Sequence, residues 1–424
     1  MGGNKVKVNQ NQQSLIILTD IDLDNQSGAS WNRILCYSKA ISDAGAKVII
    51  TSAKYNTVNK ERIEKLENNI FLLKSKSLNY TNKKNLPILK EFKFRSNLNY
   101  LREIITELCN INDQGKFLLY PNNLSLSFIT FFYLKLFKNK TVYVEKNELH
   151  LGRALNLPFP ASLLKKLIFP FIWIINLIPG FLTDIIELFF DGMICISTRM
   201  EKLYKKLNKN IIRIPILTDT DKTDTIFVQK SNKDCFKIAY TGTISEKRDG
   251  VFSFLKSIHS LGNKKPGIIV NLYGPVTNSG KLYLNAIINK YQLLEIVKYH
   301  GNLPADEIPE ILRAHDLLVL PRPLNLQTNY GFSTKLAEYL NSGVPVLSTK
   351  ISDSELYLTN EKNIYFTDSL KPKDIASKLN KIIETRSLNI KIAKAAIETH
   401  HKHFFLIHIL LLIFHIQYVR DLHQ

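Results

Sequence analysis

Cysteine is scarce in this chain of 424 residues: Cys36, Cys109, Cys195 and Cys235 lie far apart, with no C-x-x-C pair among them. That argues against a disulfide framework and a cysteine-built zinc centre, and it fits a reducing compartment. Glycine and proline, at 17 and 15, are too few for a collagen-like or low-complexity chain. Acidic residues are also few, 37 against 57 Lys and Arg, which leaves a formal net charge of +20. A field of that sign favours nucleotides, nucleic acid or an acidic lipid surface. The polar stretch from Met1 to Ser14 lacks an apolar core of signal-peptide length, so a cytoplasmic location is expected. What is present is 45% hydrophobic residues, the balance of a packed globular chain, and two domains of roughly 200 residues each are expected at this length.

Periodicity organises the first half. The apolar run Leu15 to Leu18, a polar loop with Gly28, a helical pattern from Trp31 to Ala44 and the run Lys47 to Ile50 read as strand, helix, strand. Further short runs at Phe117 to Tyr120, Val142 to Val144 and Met193 to Ile196 are spaced by helix-length segments, as in a parallel sheet buried on both faces. Residues 218–234 are polar and read as a linker between a first domain, 1–217, and a second, 235–399. In the second half strands are expected at Phe236 to Tyr240, Ile268 to Tyr273, Leu317 to Leu320 and Pro345 to Ser348. Two successive doubly wound α/β units imply a cleft between them, where ligands bind.

Three segments depart from this pattern. Within 160–190, Leu167 to Thr183 is uncharged and carries Phe169, Phe171, Trp173 and Phe181, but Pro170, Pro179 and Gly180 interrupt it. It falls short of the roughly 20 residues of a spanning helix. With Lys165 and Lys166 before it, an element lying at an anionic lipid surface is expected, against the alternative of buried core helices. Lys54 to Arg102 adds a basic concentration, 12 Lys or Arg against 4 Glu. Residues 400–424 form an apolar tail holding six of the ten histidines, in a spacing that fits no standard metal site. Two D-x-D triplets, Asp20-Ile21-Asp22 and Asp219-Thr220-Asp221, are of a kind that recurs by chance, and no metal is expected.

The most informative stretch runs from Tyr330 to Leu347. A glycine loop at Gly331 opens a helix that ends at Asn341-Ser342-Gly343, and Pro345 leads into an apolar strand. Free N–H groups at Phe332, Ser333 and Thr334 would suit a diphosphate, and the Glu338 carboxylate would suit vicinal hydroxyls such as those of a ribose. A second glycine turn, Tyr240-Thr241-Gly242-Thr243, is followed by Lys247 and Arg248, which can neutralise phosphate. Both turns follow strands of one expected sheet and should face the same cleft. After Val142 to Val144, Glu145 is a candidate to meet an acceptor or a transferred sugar.

The ordered motifs Tyr240-Thr241-Gly242, Leu272-Tyr273-Gly274-Pro275, His300-Gly301-Asn302-Leu303-Pro304, Ala314-His315-Asp316-Leu317 and Gly331 to Val346 resemble the nucleotide-sugar domain of GT-B glycosyltransferases of family 4. Phe190 to Ser197 and Ile214-Pro215-Ile216 are similar to the end of that family's first domain. The resemblance implies a GT-B fold of two Rossmann-like domains and a retaining, metal-independent hexosyl transfer from a nucleotide-diphosphate sugar. The expected acceptor is a glycan or polyprenyl-linked glycan in cell-surface polysaccharide synthesis, at the cytoplasmic membrane face, with no cofactor and no nucleic-acid partner. It implies that Glu338 binds the donor ribose, that Lys247 and Arg248 meet the diphosphate, and that Gly301, Asn302 and Leu303 line the base pocket. Two positions depart from the pattern: Tyr330 stands where the family has its first glutamate, and Thr243 where it has an arginine. A sugar-nucleotide epimerase of the same architecture and a degenerate binding or scaffold protein are the alternatives.

Overall fold

The computed structural model describes residues 14–23, 28–53, 63–73, 105–106, 108–109, 116–121, 123–155, 163–207, 210–218, 235–261, 267–304 and 306–404. Most of the 218–234 linker, the Lys54 to Arg102 stretch apart from 63–73, and tail residues 405–424 lie outside the described residues.

Two sheets organise the chain. The first contains β1 (Ser14–Thr19), β2 (Lys47–Ser52), β3 (Ile63–Glu67), β4 (Ile70–Leu73), β5 (Lys116–Leu119), β6 (Val142–Lys146), β7 (Gly192–Cys195) and β8 (Ile211–Arg213). Their spatial order is β3-β4-β2-β1-β5-β6-β7-β8, and only the β3–β4 pair is antiparallel. The second contains β9 (Phe236–Thr241), β10 (Ile268–Tyr273), β11 (Val297–Gly301), β12 (Leu317–Leu320), β13 (Val346–Thr349) and β14 (Tyr365–Thr367). It is parallel throughout, in the order β11-β10-β9-β12-β13-β14. Both sheets are doubly wound, as the apolar runs implied.

Alternation along each strand feeds a core on each face. Ile16 and Leu18 of β1 pack with Phe117, Leu119, Val144 and Met193, whereas Ile17 packs with Val48, Leu118 and Trp31, Ile34 and Tyr37 of helix α1 (Ala29–Asp43). In the second sheet Ile238 and Tyr240 face one cluster and Ala239 the other. The strands that the apolar runs did not reveal are β3 and β4, β8, β11 and β14. Of these β8 and β14 have three residues each, and β11 reads Val-Lys-Tyr-His-Gly with a polar residue at every second place.

The remaining helices are α2 (Leu124–Ile129), which continues as a π-helix over Thr130–Phe137, α3 (His150–Leu155), α4 (Leu163–Ile186), α5 (Thr198–Tyr204), α6 (Val251–Ser260), α7 (Asn278–Lys290), α8 (Ile308–Arg313), α9 (Leu326–Tyr330), α10 (Thr334–Asn341), α11 (Ser354–Tyr357), α12 (Pro372–Glu384) and α13 (Arg386–His403). The segment around Leu167 to Thr183 is one helix of 24 residues with Pro170 and Pro179 inside it. Pro179 removes one backbone donor, and its carbonyl accepts from the Thr183 hydroxyl at 2.7 Å. No helix among the described residues is long and apolar enough to cross a membrane.

The inner face of α4 carries a buried ion cluster: Lys146, at the end of β6, donates to both Asp184 and Glu187. Its outer face leaves Ile174, Ile175, Ile178, Phe181 and Leu182 exposed, with Phe189 just beyond the helix. Phe131 meets Phe189 at 5.8 Å and Phe132 at 5.2 Å, so the band continues onto Phe132 of the π-helix, whose Leu136 and Phe137 are exposed as well.

The two domains touch through specific bonds. Ser197 Oγ donates to the Tyr330 carbonyl at 2.5 Å, Thr198 donates twice to Asp353 at 2.6 and 2.7 Å, and Gln327 Nε2 donates to Glu148 at 2.7 Å. Ile196 and Ile216 of the first domain join the second domain's core. The last helix, α13, carries the chain back to this junction. His400 is buried with Nε2 at 2.5 Å from the Thr218 hydroxyl, and the Thr218 N–H donates to the Phe404 carbonyl at 3.1 Å. Helix and core thus run past residue 400, where the tail was expected to begin.

Candidate functional site

In the second sheet the chain moves from β9 outward to β10 and β11, then returns to β12 on the other side of β9. The crevice at the carboxyl ends of β9 and β12 is therefore the topological switch point, the usual place for a ligand in such a sheet. Thr241-Gly242 follows β9, Pro321-Arg322 follows β12, and α10 starts between them in space.

Gly242 sits at φ +131°, a conformation that favours glycine, and its N–H donates to the Tyr273 carbonyl at 2.7 Å. A Cβ added there would overlap the Lys335 ammonium, so Lys335 lies directly on the turn. Its Nζ stands 4.9 Å from the centroid of the Tyr240 ring, donates to the Tyr240 hydroxyl at 2.9 Å and reaches Asp249 at 3.3 Å. Arg322 lies 3.9 Å from the same carboxylate, and its Nε donates to the Arg248 carbonyl at 3.3 Å. Ser245 donates to Asp249 at 2.9 Å.

Charge is unevenly matched here. Burial depresses the Lys335 pKa, Asp249 opposes, and Arg322 and Arg248 add to the depression, leaving it at about 8. Burial works against the Asp249 charge as well, but Lys335, Arg322 and Arg248 outweigh it and hold the carboxyl below its usual range. Glu338, one turn along α10 from Lys335, is half-buried and makes no hydrogen bond among the described residues. Burial pushes its carboxyl up to about 7, against the pull of Lys335. A carboxylate without partners at a ligand crevice suits hydroxyl donors.

The expected site residues divide into groups. Gly242, Thr243, Ser333, Thr334 and Glu338 come together around the switch point; the Thr243 carbonyl accepts from the Tyr240 hydroxyl at 2.8 Å, and Ser333 is the N-cap of α10. Lys247 and Arg248 are on the adjoining loop with exposed side chains, their carbonyls tied to Asn325 and Arg322. Gly301 is at φ +78° at the end of β11, and its carbonyl accepts from Gly274 at 2.6 Å; Asn302 is exposed and Leu303 half-buried beside it. Tyr330 ends α9 at the domain junction, and Gly331 is buried against the Asn147 and Gln327 carbonyls, each 3.0 Å from where its Cβ would be. The Phe332 side chain faces away from the crevice, into the core against Tyr357 and Phe404, which leaves only its backbone to contribute.

Glu145 is not where a sugar would meet it. It is buried in an ion pair with Arg33 of α1, whose guanidinium also donates to the Pro215 and Ile214 carbonyls at 2.9 and 3.1 Å and to Tyr37 at 2.8 Å. On β6 its side chain falls on the α1 side of the sheet, and Glu148, three residues on, is the carboxylate that meets the second domain through Gln327. The residues that motif reading passed over are Lys335, Asp249 and Arg322. Lys335 is three residues from Glu338 on a helix, hence on the same face, which was the available signal.

Among the described residues one group, His150, Asp184 and Glu187, has ligand atoms close enough for a metal. The Lys146 ammonium already bonds both carboxylates, so a lysine supplies the cation. Asp20 of the first D-x-D accepts from Asn123 at 3.3 Å, and 219–221 lie outside the described residues.

Residues 221–399 match the family model of group 1 glycosyl transferases. In structure the whole chain is similar to sucrose-phosphate synthase from Thermosynechococcus elongatus, with TM-score 0.71 and 14% identity over 97% of this chain and 99% of that one. A glycosyltransferase from Rickettsia africae ESF-5 gives TM-score 0.64 and 14% identity over 96% and 98%. HepE of Anabaena in complex with UDP-glucose gives 0.64 and 13% over 96% and 99%. The fold is GT-B. No curated protein matches the chain in sequence.

Proposed function

We propose that the protein moves a hexose, with retention and without a metal, from a nucleotide-diphosphate sugar to a glycan or polyprenyl-linked acceptor in cell-surface polysaccharide synthesis. The observation that carries this is the meeting of the Gly242 turn, the start of α10 and the unpartnered Glu338 at one switch point within the stretch that matches the family. Backbone N–H groups of Ser333 and Thr334 hold the diphosphate, Lys247 and Arg248 neutralise it from the loop, Glu338 takes the ribose hydroxyls, and Gly301 to Leu303 line the base. The bond between the anomeric carbon and the phosphate oxygen breaks, the acceptor oxygen bonds to that carbon on the same face, and the acceptor proton passes to the leaving diphosphate. Catalysis is then positioning and charge stabilisation. Glu145 serves as a positioning residue, fixing β6 to α1 through Arg33.

The acceptor side faces an anionic membrane, with the protein peripheral on its cytoplasmic face. The exposed apolar band of α4 and the π-helix supports this, with Lys138 and Lys140 in the loop after the π-helix. Glu charges at Ile178 and Phe181 should abolish flotation with anionic vesicles and leave the melting temperature in place; unchanged flotation removes the membrane from the proposal. For the donor, binding and turnover of UDP-, GDP- and ADP-sugars are compared between wild type and Glu338→Ala. Equal binding by both rejects the site, and isotope exchange at the sugar C2 without an acceptor indicates the epimerase.

A further inference from the structure

We propose that Lys335 is the principal cation for the donor's diphosphate, exchanging its contact with Asp249 for a phosphate oxygen when the donor binds. The inference rests on the donor-site reading above and deepens it. Three observations carry it. Lys335 comes from the first turn of α10, and its ammonium lies over Gly242, between the carboxyl ends of β9 and β12 where the sheet directs its ligand. Thr243, the residue after the turn, brings no charge, so the positive charge at the turn itself arrives from α10.

The surroundings are also short of negative charge. Lys335 and Arg322 converge on one carboxylate, Asp249, with Arg322 only 8% and Lys335 20% exposed, and Arg322 also donates to the Arg248 carbonyl. The groups facing the Lys335 ammonium are Asp249, Arg322, Arg248 and Tyr240 from the other elements and Glu338 from its own helix. Against these cations stand Asp249, bonded to Lys335, and Glu338, whose charge burial disfavours, so positive charge is incompletely matched and an incoming diphosphate would balance it. Burial first, and then Arg322 and Arg248, depress the ammonium's pKa to about 8. Bound phosphate reverses that depression, so donor binding above pH 8 takes up a proton at Lys335.

The test measures affinity by calorimetry for inorganic pyrophosphate and for UDP-, GDP- and ADP-sugars, in wild type, Lys335→Met, Lys335→Arg and Glu338→Ala, with melting curves to show that each is folded. Lys335→Met should weaken pyrophosphate and the bound sugar nucleotide at least ~10-fold, as expected for losing a charge-assisted hydrogen bond. Lys335→Arg should restore most of the affinity. Between pH 7 and 9 the wild type should lose sugar-nucleotide affinity and take up a proton on binding, and Lys335→Arg should do neither. If Lys335→Met binds like wild type while Glu338→Ala loses the sugar nucleotide, the donor site stands and this inference falls. Pyrophosphate binding that depends on Lys335, with no sugar nucleotide bound, keeps the inference and rejects the donor reading. Wild type that binds neither probe overturns both.

Discussion

In each domain a lysine is enclosed beside carboxylates, and the two clusters are balanced in opposite ways. Lys146 meets Asp184 and Glu187, with His150 Nε2 3.5 Å from Glu187, and Asp184 also caps α3 through the His150 and Leu151 N–H groups at 3.2 and 3.0 Å. Burial disfavours the Lys146 charge, but Glu187 and Asp184 outweigh it and raise the pKa; burial likewise works against Glu187, yet Lys146 and then His150 hold it down to about 2. Two carboxylates there face one ammonium. In the second domain Lys335, Arg322 and Asp249 leave a cation in excess, and the lysine pKa falls instead of rising. The same residue type is a brace where it is fully buried and carboxylates outnumber it, and a candidate ligand group where it is partly open and they do not.

The sharpest way to break this comparison is Lys146→Met, which strands the buried Glu187 carboxylate and leaves Asp184 only its backbone donors, and it should cost about 3–5 kcal/mol of stability in urea denaturation. The pH dependence should change sign as well. In the wild type the depressed Glu187 pKa contributes stability that is complete above 4.5 and is lost as pH falls towards 2. With Lys146 gone burial of Glu187 favours its protonated form, so the variant should gain stability as the pH falls through 5. A variant that melts like wild type at every pH would show that the brace bears no load.

Glu338→Gln should act in the opposite direction. The Glu338 pKa of about 7 lies above its ordinary 4.5, so its ionisation costs the fold nothing below pH 4.5 and the full penalty above 7. The variant should be more stable than wild type by about 1–2 kcal/mol at pH 8, allowing for partial exposure, and equal to it at pH 4.5. It should bind donor worse throughout. Equal stability at pH 8 would mean that this carboxylate is not held short of partners.

How far these features could be read in advance depended on whether they are local in the chain. Leu15 to Leu18 and Leu317 to Leu320 declare buried strands because a parallel sheet needs apolar residues on both faces, and Gly331 to Pro345 declares its loop, helix and strand through punctuation residues. The charge clusters are set by contacts far apart in sequence. Glu145 and Lys146 are neighbours in one polar stretch, and only the pleat sends one to Arg33 and the other to Asp184 and Glu187. Asp249 and Lys335 meet across 86 residues because β9 and β12 are adjacent, an order that periodicity does not encode. The apolar reach of α4 was visible, but its continuity through Pro170 and Pro179 was not, since a proline ordinarily ends or kinks a helix.

The smallest effect on stability, and the one that separates the two lysines most cleanly, is expected for Lys335→Met. The Lys335 pKa of about 8 lies below its ordinary 10.5, so its charge burdens the fold fully below pH 8 and ceases to do so as the pH rises to 10.5. Removing the ammonium relieves that burden and deprives Asp249 of one partner, while Arg322 remains 3.9 Å away. These opposing contributions should leave the variant within about 1 kcal/mol of wild type at pH 7, in thermal or urea melts. Adding pyrophosphate should then raise the melting temperature of wild type and not of the variant, because a ligand stabilises only the form that binds it. If Lys335→Met instead lost several kcal/mol, as Lys146→Met should, both clusters would be braces and the positive excess around Gly242 would belong to folding, not to binding.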